Sequence, residues 1–233
     1  MRSTRQLGRG EGPIEILSNE KIRALLREES DVHADRLVIS PILNWDNQMK
    51  PGGSSVDVRL GQRFRVPRRT KIDRLDHLSE SYLENVERYK DDYHVLIGDY
   101  FVLHPRQFVL GNTLEWIHLP PNLAAYVIGR SSWGRDGLVI ATATGVHPRY
   151  SGVLTLEITN LGEIPVRLYP GLTIAQLFIH TVEQHGITEI EQSAGLAAPT
   201  FTGSTNPENA DAAGDDKEII RRISKERGFL LSD

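Results

Sequence analysis

The sequence predicts a mainly β protein, a sandwich or barrel with a short N-terminal helix and few others. Three observations predict it. Between residues 100 and 183, short strand-like runs recur, and proline or glycine divides them where helices would divide a parallel sheet. Two earlier runs, at 55–60 and 62–66, alternate apolar and polar residues in the manner of strands. Apolar spacing of helical period is confined to 14–29, 70–93 and 217–229. With 233 residues and 39% hydrophobic side chains, the chain is long enough for one substantial core.

Residues 1–13 read as a flexible lead. Ile14 to Glu29 reads as a helix, with Ser18 suited to the N-cap and Ile22, Leu25 and Leu26 forming its apolar stripe. Leu37 to Leu43 is a short strand ending near a proline. Asn44 to Ser55 is polar and rich in glycine and proline, which predicts a loop. Ser55–Leu60 and Gln62–Val66 follow as strands with one face in water. The charged stretch 70–93 sets Leu75, Leu78, Tyr82, Leu83 and Val86 at roughly helical spacing and predicts an insertion with a short helix. Strands are then expected at Tyr100–Leu103, Gln107–Thr113, Leu123–Ile128, Leu138–Thr142, Gly152–Asn160, Ile164–Leu168 and Thr173–Thr181. Ser193 to Asp216 has the composition of a linker or mobile tail, and residues 217–229 could form a short amphipathic helix through Ile219, Ile220, Ile223 and Phe229.

Composition excludes several classes of function. A formal net charge of −4 argues against a general nucleic-acid binder, though local arginines can still hold a small anion. The chain has no cysteine, so neither a disulfide nor a Cys-ligated zinc is possible in it. No apolar run approaches the roughly 20 residues of a membrane-spanning helix. Met1 to Glu11 lacks the apolar centre of a signal peptide. The expectation is a soluble, cytoplasmic protein with no nucleic-acid or membrane partner.

Two segments carry the chemistry. The run Gly129-Arg-Ser-Ser-Trp-Gly-Arg135 brings two arginines, two hydroxyls and flexible backbone together. Guanidinium groups make bidentate, charge-assisted bonds to phosphate, Ser131 and Ser132 add donors, and Gly134 permits a close backbone approach. A solvated surface turn has the same composition, so spacing alone does not choose between them. The second segment places Glu157 among Val153, Leu154, Leu156 and Ile158. A carboxylate in low dielectric suits acid–base work near neutral pH. Periodicity alone, however, reads Val153, Thr155, Glu157 and Thr159 as the wet face of a strand. Between the two lies a tight turn marked by Gly145 and Pro148, where Tyr150 offers a flat ring and His147 a hydroxyl partner. Gln176 is a lone amide in an apolar strand, placed to cap backbone groups or to read a pyrimidine edge. Together these segments suggest an enzyme that holds a nucleotide by its phosphates and works on its base.

Taken in order, these pieces resemble the dCTP deaminase branch of the trimeric dUTPase superfamily, over roughly residues 15–183. The resemblance is carried by Gly53-Ser-Ser-Val-Asp-Val-Arg-Leu-Gly61, Phe101-Val-Leu-His-Pro105, Gly129 to Arg135 with Gly137-Leu138, Pro148 with Tyr150 and Gly152, Thr155-Leu-Glu157, and Pro170-Gly171 with Ala175-Gln-Leu177. It implies a distorted β-barrel or jelly-roll-like subunit of dUTPase type, with a nucleotide-binding catalytic domain at 14–190 and a tail or lid at 191–233. It also implies a homotrimer with active sites between subunits. By this resemblance Glu157 is the general base and proton shuttle, and Ser131 positions base and water. The backbone at Ala143 helps hold the attacking water. Arg130, Ser132 and Arg135 contact the triphosphate, and Tyr150 packs on the deoxyribose. Trp133, Gly134, His147, Thr155, Leu156, Gln176 and Phe201 complete the expected substrate contacts. The nucleotide is expected to carry Mg²⁺ on its triphosphate, and no metal site is expected in the protein.

The implied reaction is zinc-independent deamination of dCTP to dUTP and ammonia. Most nucleoside deaminases activate water on a zinc held by His and Cys; a route without it needs a carboxylate such as Glu157. Related dUTPases carry a water-activating aspartate in the hairpin that here reads Gly145-Val-His-Pro-Arg-Tyr150. The lack of an acidic residue favours deamination over pyrophosphate cleavage. The family often has Arg where Gly145 stands and Asp where His147 stands. Its lid is basic, whereas 197–206 has no Lys or Arg and Phe201 takes the place of a tyrosine. Two alternatives remain: a bifunctional enzyme that releases dUMP and pyrophosphate, and a non-catalytic regulator that binds dCTP, dUTP or dTTP.

Overall fold

The computed structural model describes residues 15–28, 36–68, 71, 74–79, 81–141, 145–182, 205, 207 and 216–226. It is mainly β. Helix α1 (Asn19–Arg27) starts at Ser18, whose side chain accepts from the Lys21 amide, and buries Ile22. Strand β1 (Val38–Ser40) ends at Pro41, as expected of a residue that cannot donate to a ladder. The stretch predicted as loop contains one short helix, α2 (Trp45–Gln48), because the Asn44 side chain accepts from the amides of Asp46 and Asn47.

Strands β2 (Val56–Arg59) and β3 (Arg63–Pro67) follow. The expectation of a wet face on β2 is corrected: all four residues are buried, and Asp57 and Arg59 lie inside with partners. Alternation identified the strand, but its polar side faces other charges and not water. In the insertion, helix α3 (Tyr82–Arg88) covers only the end of the predicted helical spacing, and strand β4 (Lys90–His94) succeeds it. Next come β5 (Phe101–Leu103), β6 (Phe108–His118), β7 (Leu123–Gly129), helix α4 (Ser131–Arg135), β8 (Leu138–Ile140), β9 (Gly145–Val146), β10 (Ser151–Asn160), β11 (Val166–Leu168) and β12 (Thr173–Thr181). Helix α5 (Asp216–Glu226) lies near the C-terminus and overlaps the expected 217–229.

Among the described residues, the strands form three sheets. The largest runs β4-β3-β6-β10-β8, with β1 also paired to β6; a second runs β2-β12-β7-β9; β5 and β11 form a ribbon. Every strand pairing is antiparallel. Among the described residues no sheet closes on itself, so the subunit is distorted and open, without a closed barrel. Leu60, Phe64, Leu103, Ile117, Leu156, Ile158, Ile174 and Leu177 belong to one buried cluster spanning the sheets. Strand β6 runs farther than predicted, and it carries a buried charge through the core. Glu115 is 0% exposed and accepts from the Arg59 Nε at 2.7 Å, the Arg59 amide at 2.8 Å and the Gln48 amide at 3.1 Å.

Candidate active site

The Gly129–Arg135 run is not a loose turn. Strand β7 ends at Gly129, Arg130 occupies the cap position with extended backbone, and residues 131–135 coil into α4. Trp133 pins this helix: its ring packs on the core and its indole Nε1 donates to the Thr173 carbonyl at 2.9 Å. The anchored tryptophan leaves Ser131, Ser132, Gly134 and Arg135 exposed on the surface. A side chain at Gly134 would meet nothing within 4 Å, so no contact inside the subunit demands glycine there. Gly137 differs: its φ is +83°, and a Cβ would meet the Gly162 backbone at 2.7 Å.

Arg130 is oriented from behind by a residue that sequence reasoning passed over. Asp57 of β2, buried, accepts from Arg130 Nη1 at 3.1 Å through one carboxylate oxygen. Its other oxygen accepts from the Gln176 amide at 3.0 Å, and that amide also reaches Ser55 Oγ at 3.3 Å. Gln176 therefore bonds side chains and not backbone groups. The signal for Asp57 was present in the chain: a carboxylate within an apolar strand, two positions after Ser55. Alternation alone assigns it to a wet face.

Glu157 lies near the middle of β10, between β6 and β8. It pairs with Leu110 of β6, and its carbonyl accepts from the Ala141 amide at 2.8 Å. Thr155, Glu157 and Thr159 are half-buried on one face, and Leu154, Leu156 and Ile158 are buried on the other. By strand alternation the Leu156 side chain is wholly within the core, away from the Glu157 face. Tyr150 is 9% exposed and belongs to the core, and its hydroxyl donates to the Val153 carbonyl at 2.6 Å. His147 is exposed at the turn after β9, where its carbonyl accepts from the Tyr150 amide at 3.2 Å. Ala143 and Phe201 lie outside the described residues.

The structure therefore brings the expected residues together in two groups. Arg130, Gln176 and α4 belong to the four-stranded sheet and its edge; Glu157 and Thr155 belong to the six-stranded sheet. Strand β8 connects them, leaving α4 and pairing with β10 through Ile158–Ile140 and Asn160–Leu138. The first group offers guanidinium and hydroxyl donors suited to phosphate; the second offers a carboxylate on an otherwise weakly polar strand face. Among the described residues no group of three or more His, Cys, Asp or Glu is arranged to hold a metal ion, and no helix is long and apolar enough to cross a membrane.

The chain is similar to known proteins. A family model described as dCTP deaminase-like matches residues 16–182. A dCTP deaminase of Natronomonas pharaonis is 39% identical over 201 residues, covering 86% of this chain and 96% of its own length. A dCTP deaminase of Halorubrum lacusprofundi is 46% identical over 142 residues, covering 60% and 68%. A "dCTP deaminase, dUMP-forming" of Methanobrevibacter smithii is 38% identical over 168 residues, covering 72% and 80%. Among solved structures, 2′-deoxycytidine 5′-triphosphate deaminase from Agrobacterium tumefaciens superposes with a TM-score of 0.53 at 21% identity. That match covers 77% of this chain and 53% of the other, and it bears on the fold alone.

Proposed function

This chain belongs to the dCTP deaminase-like family, and on that premise we propose how its residues convert dCTP and water to dUTP and ammonia. The observation that carries the reading is the pairing of a phosphate-suited surface, α4 with Arg130, with a half-buried carboxylate on the adjoining sheet. Arg130, held by Asp57, and Arg135 neutralise the triphosphate; Ser131 and Ser132 donate to it and to the base. Glu157 takes a proton from water as the oxygen attacks carbon 4 of cytosine. It passes that proton to ring nitrogen 3, then moves the hydroxyl proton of the tetrahedral adduct to the amino group, which leaves as ammonia as the carbon 4 carbonyl forms. The chain has no cysteine to supply a zinc thiolate, which is consistent with a carboxylate doing this work.

Mg²⁺ is proposed to enter with the nucleotide. Both oxygens of Asp57 are already engaged by Arg130 and Gln176, so the triphosphate oxygens are the natural ligands. The ion would lower the charge that Arg130 and Arg135 must meet. The working unit is proposed to be a cytoplasmic homotrimer. Tyr126 and Ile128 are 51% and 50% exposed on β7, and Phe178 pairs with Tyr126 from β12, whose His180 stacks on the Tyr126 ring; this exposed, largely apolar face supports the reading.

The test is a turnover assay of dCTP with separation of dUTP, dUMP, pyrophosphate and ammonia, for wild type and Glu157→Gln. Wild type should release ammonia, and Glu157→Gln should lose about 10²–10⁴-fold in rate. Equal rates would overturn the reading. A second outcome has its own support, because relatives 38% identical are named dUMP-forming. Release of dUMP and pyrophosphate would establish that bifunctional version; dUTP alone, as the turn without acidic residues favours, would exclude it. Tight nucleotide binding without turnover would mark a regulator.

A further inference from the structure

Strand β2 is the end strand of the four-stranded sheet, with β12 on one side only. An end strand leaves the backbone groups of every second residue without a ladder partner. Here two buried side chains take the partner's place. Glu115 accepts from the Arg59 amide at 2.8 Å, and Gln48 donates from Nε2 to the Asp57 carbonyl at 3.2 Å. Both side chains come from other elements, Glu115 from β6 and Gln48 from the last position of α2.

Gln48 is 4% exposed, and its amide is used in full. Its Oε1 accepts from the backbone amides of Leu43 at 2.9 Å and Asn44 at 3.3 Å. Its Nε2 donates to the Asp57 carbonyl and, at 3.1 Å, to Glu115 Oε1. Turned the other way, the amide would set its NH2 against two donors and its oxygen against a carbonyl and a carboxylate, so its partners assign the orientation. A continuous line of bonds follows. Glu115 holds Gln48, and Gln48 holds the backbone of Asp57. The Asp57 carboxylate then accepts from Arg130 Nη1 at 3.1 Å and from Gln176 Nε2 at 3.0 Å. Asp57 is thus gripped by its backbone on the free edge of β2 and by its side chain across the ladder, where Gln176 is its register partner.

We propose that Gln48 is a positioning residue for substrate binding: its hold on the Asp57 carbonyl sets the carboxylate that aims Arg130. The proposal rests on the reading of Arg130 as a phosphate contact given above. Without the Nε2 donor, a buried carbonyl loses its partner, and the free edge of β2 must move to find another. Asp57 moves with it, and a misplacement of about 1 Å made far from the ligand is enough to weaken a contact to it. None of the bonds in this line reaches Glu157, so the loss falls on binding and not on the chemical step.

The experiment is a double-mutant cycle in steady-state kinetics with dCTP: wild type, Gln48→Met, Asp57→Ala and the pair, with Arg130→Ala alongside and a thermal melt of each. Gln48→Met should raise KM about three- to tenfold and hold kcat within about twofold. In the Asp57→Ala background the same substitution should leave KM where Asp57→Ala alone puts it, because the carboxylate to be positioned is gone. An unchanged KM in Gln48→Met, whatever its melting temperature, means a purely structural role and overturns the proposal. KM effects that multiply in the pair overturn it as well. Gln48→Asn, which keeps the amide and shortens its reach, takes the place of methionine if Gln48→Met does not fold. Arg130→Ala with the KM of wild type overturns the phosphate reading, and the proposal with it. A raised KM in Arg130→Ala beside an unchanged one in Gln48→Met overturns the role of Gln48 alone.

Discussion

Asp57 holds two side chains at once, and that gives its substitution a definite signature. It accepts from Arg130 with one oxygen and from Gln176 with the other, so it orients the proposed phosphate contact without lying on the exposed surface of α4. Asp57→Asn keeps an acceptor but removes the charge. The expected result is a rise in KM for dCTP of about tenfold, equivalent to 1.4 kcal/mol, with a much smaller change in kcat. Steady-state kinetics with the intact nucleotide would measure it. The opposite split, kcat falling at constant KM, would place Asp57 in the chemistry. Trp133 makes a contrasting case. It stands in the same motif, yet its indole bonds the Thr173 carbonyl; its loss should loosen α4 and weaken Arg135 and both serines together.

Among the elements, β2 and β6 are joined by a charge pair that is buried throughout. Glu115 has three donors, and Arg59 also donates to the Pro41 carbonyl at 2.9 Å. Glu115→Ala would strand the Arg59 guanidinium and should cost about 3–5 kcal/mol in chemical denaturation. Burial pushes the Glu115 carboxyl above the ordinary carboxylate range, against the opposing pull of Arg59. A raised pKa means that the folded state binds the proton more readily than the unfolded chain. Glu115's contribution is therefore full below the ordinary value and lost as pH rises through the raised one. Stability measured from mildly acidic to neutral pH should carry that downward slope, and Glu115→Gln should remove it. Helix α5 is tied in a different way: Arg221 donates from Nε to the Leu78 carbonyl at 2.8 Å, and Lys217 sits 5.8 Å from the Tyr82 ring. Arg221→Ala should release α5 from the insertion and speed proteolytic cutting near residue 216.

At the level of the whole molecule, the two halves of the proposed site lie on different sheets, and Tyr126 and Ile128 are exposed on β7 beside Arg130. A trimer would bury both side chains. Light scattering should return about three times the 26.2 kDa of one chain, and Ile128→Glu should lower both the assembly and the turnover. If sites are shared between subunits, mixing Arg135→Ala chains with Glu157→Gln chains under exchange should recover activity that neither has alone. No recovery in mixed trimers would confine each site to one chain.

Much of this was legible in the residues. Alternation over short runs separated by proline and glycine established the β class, and the strands from β5 to β12 fall close to their expected places, apart from the small β9 and the longer β6. Ser18 was readable as a cap because its bond to the Lys21 amide is local. The order of motifs made Arg130 and Glu157 two ends of one proposed site. What sequence alone could not determine was which polar residue faces what. Asp57 and Arg59 alternate like surface residues but meet Arg130 and Glu115 from distant strands. Tyr150 belongs to the core, and Gln48 meets the Asp57 carbonyl only where α2 lies against β2. Local pattern sets the period of a strand. Pairing partner and face depend on contacts between residues far apart in the chain, and those exist only once the sheets have formed.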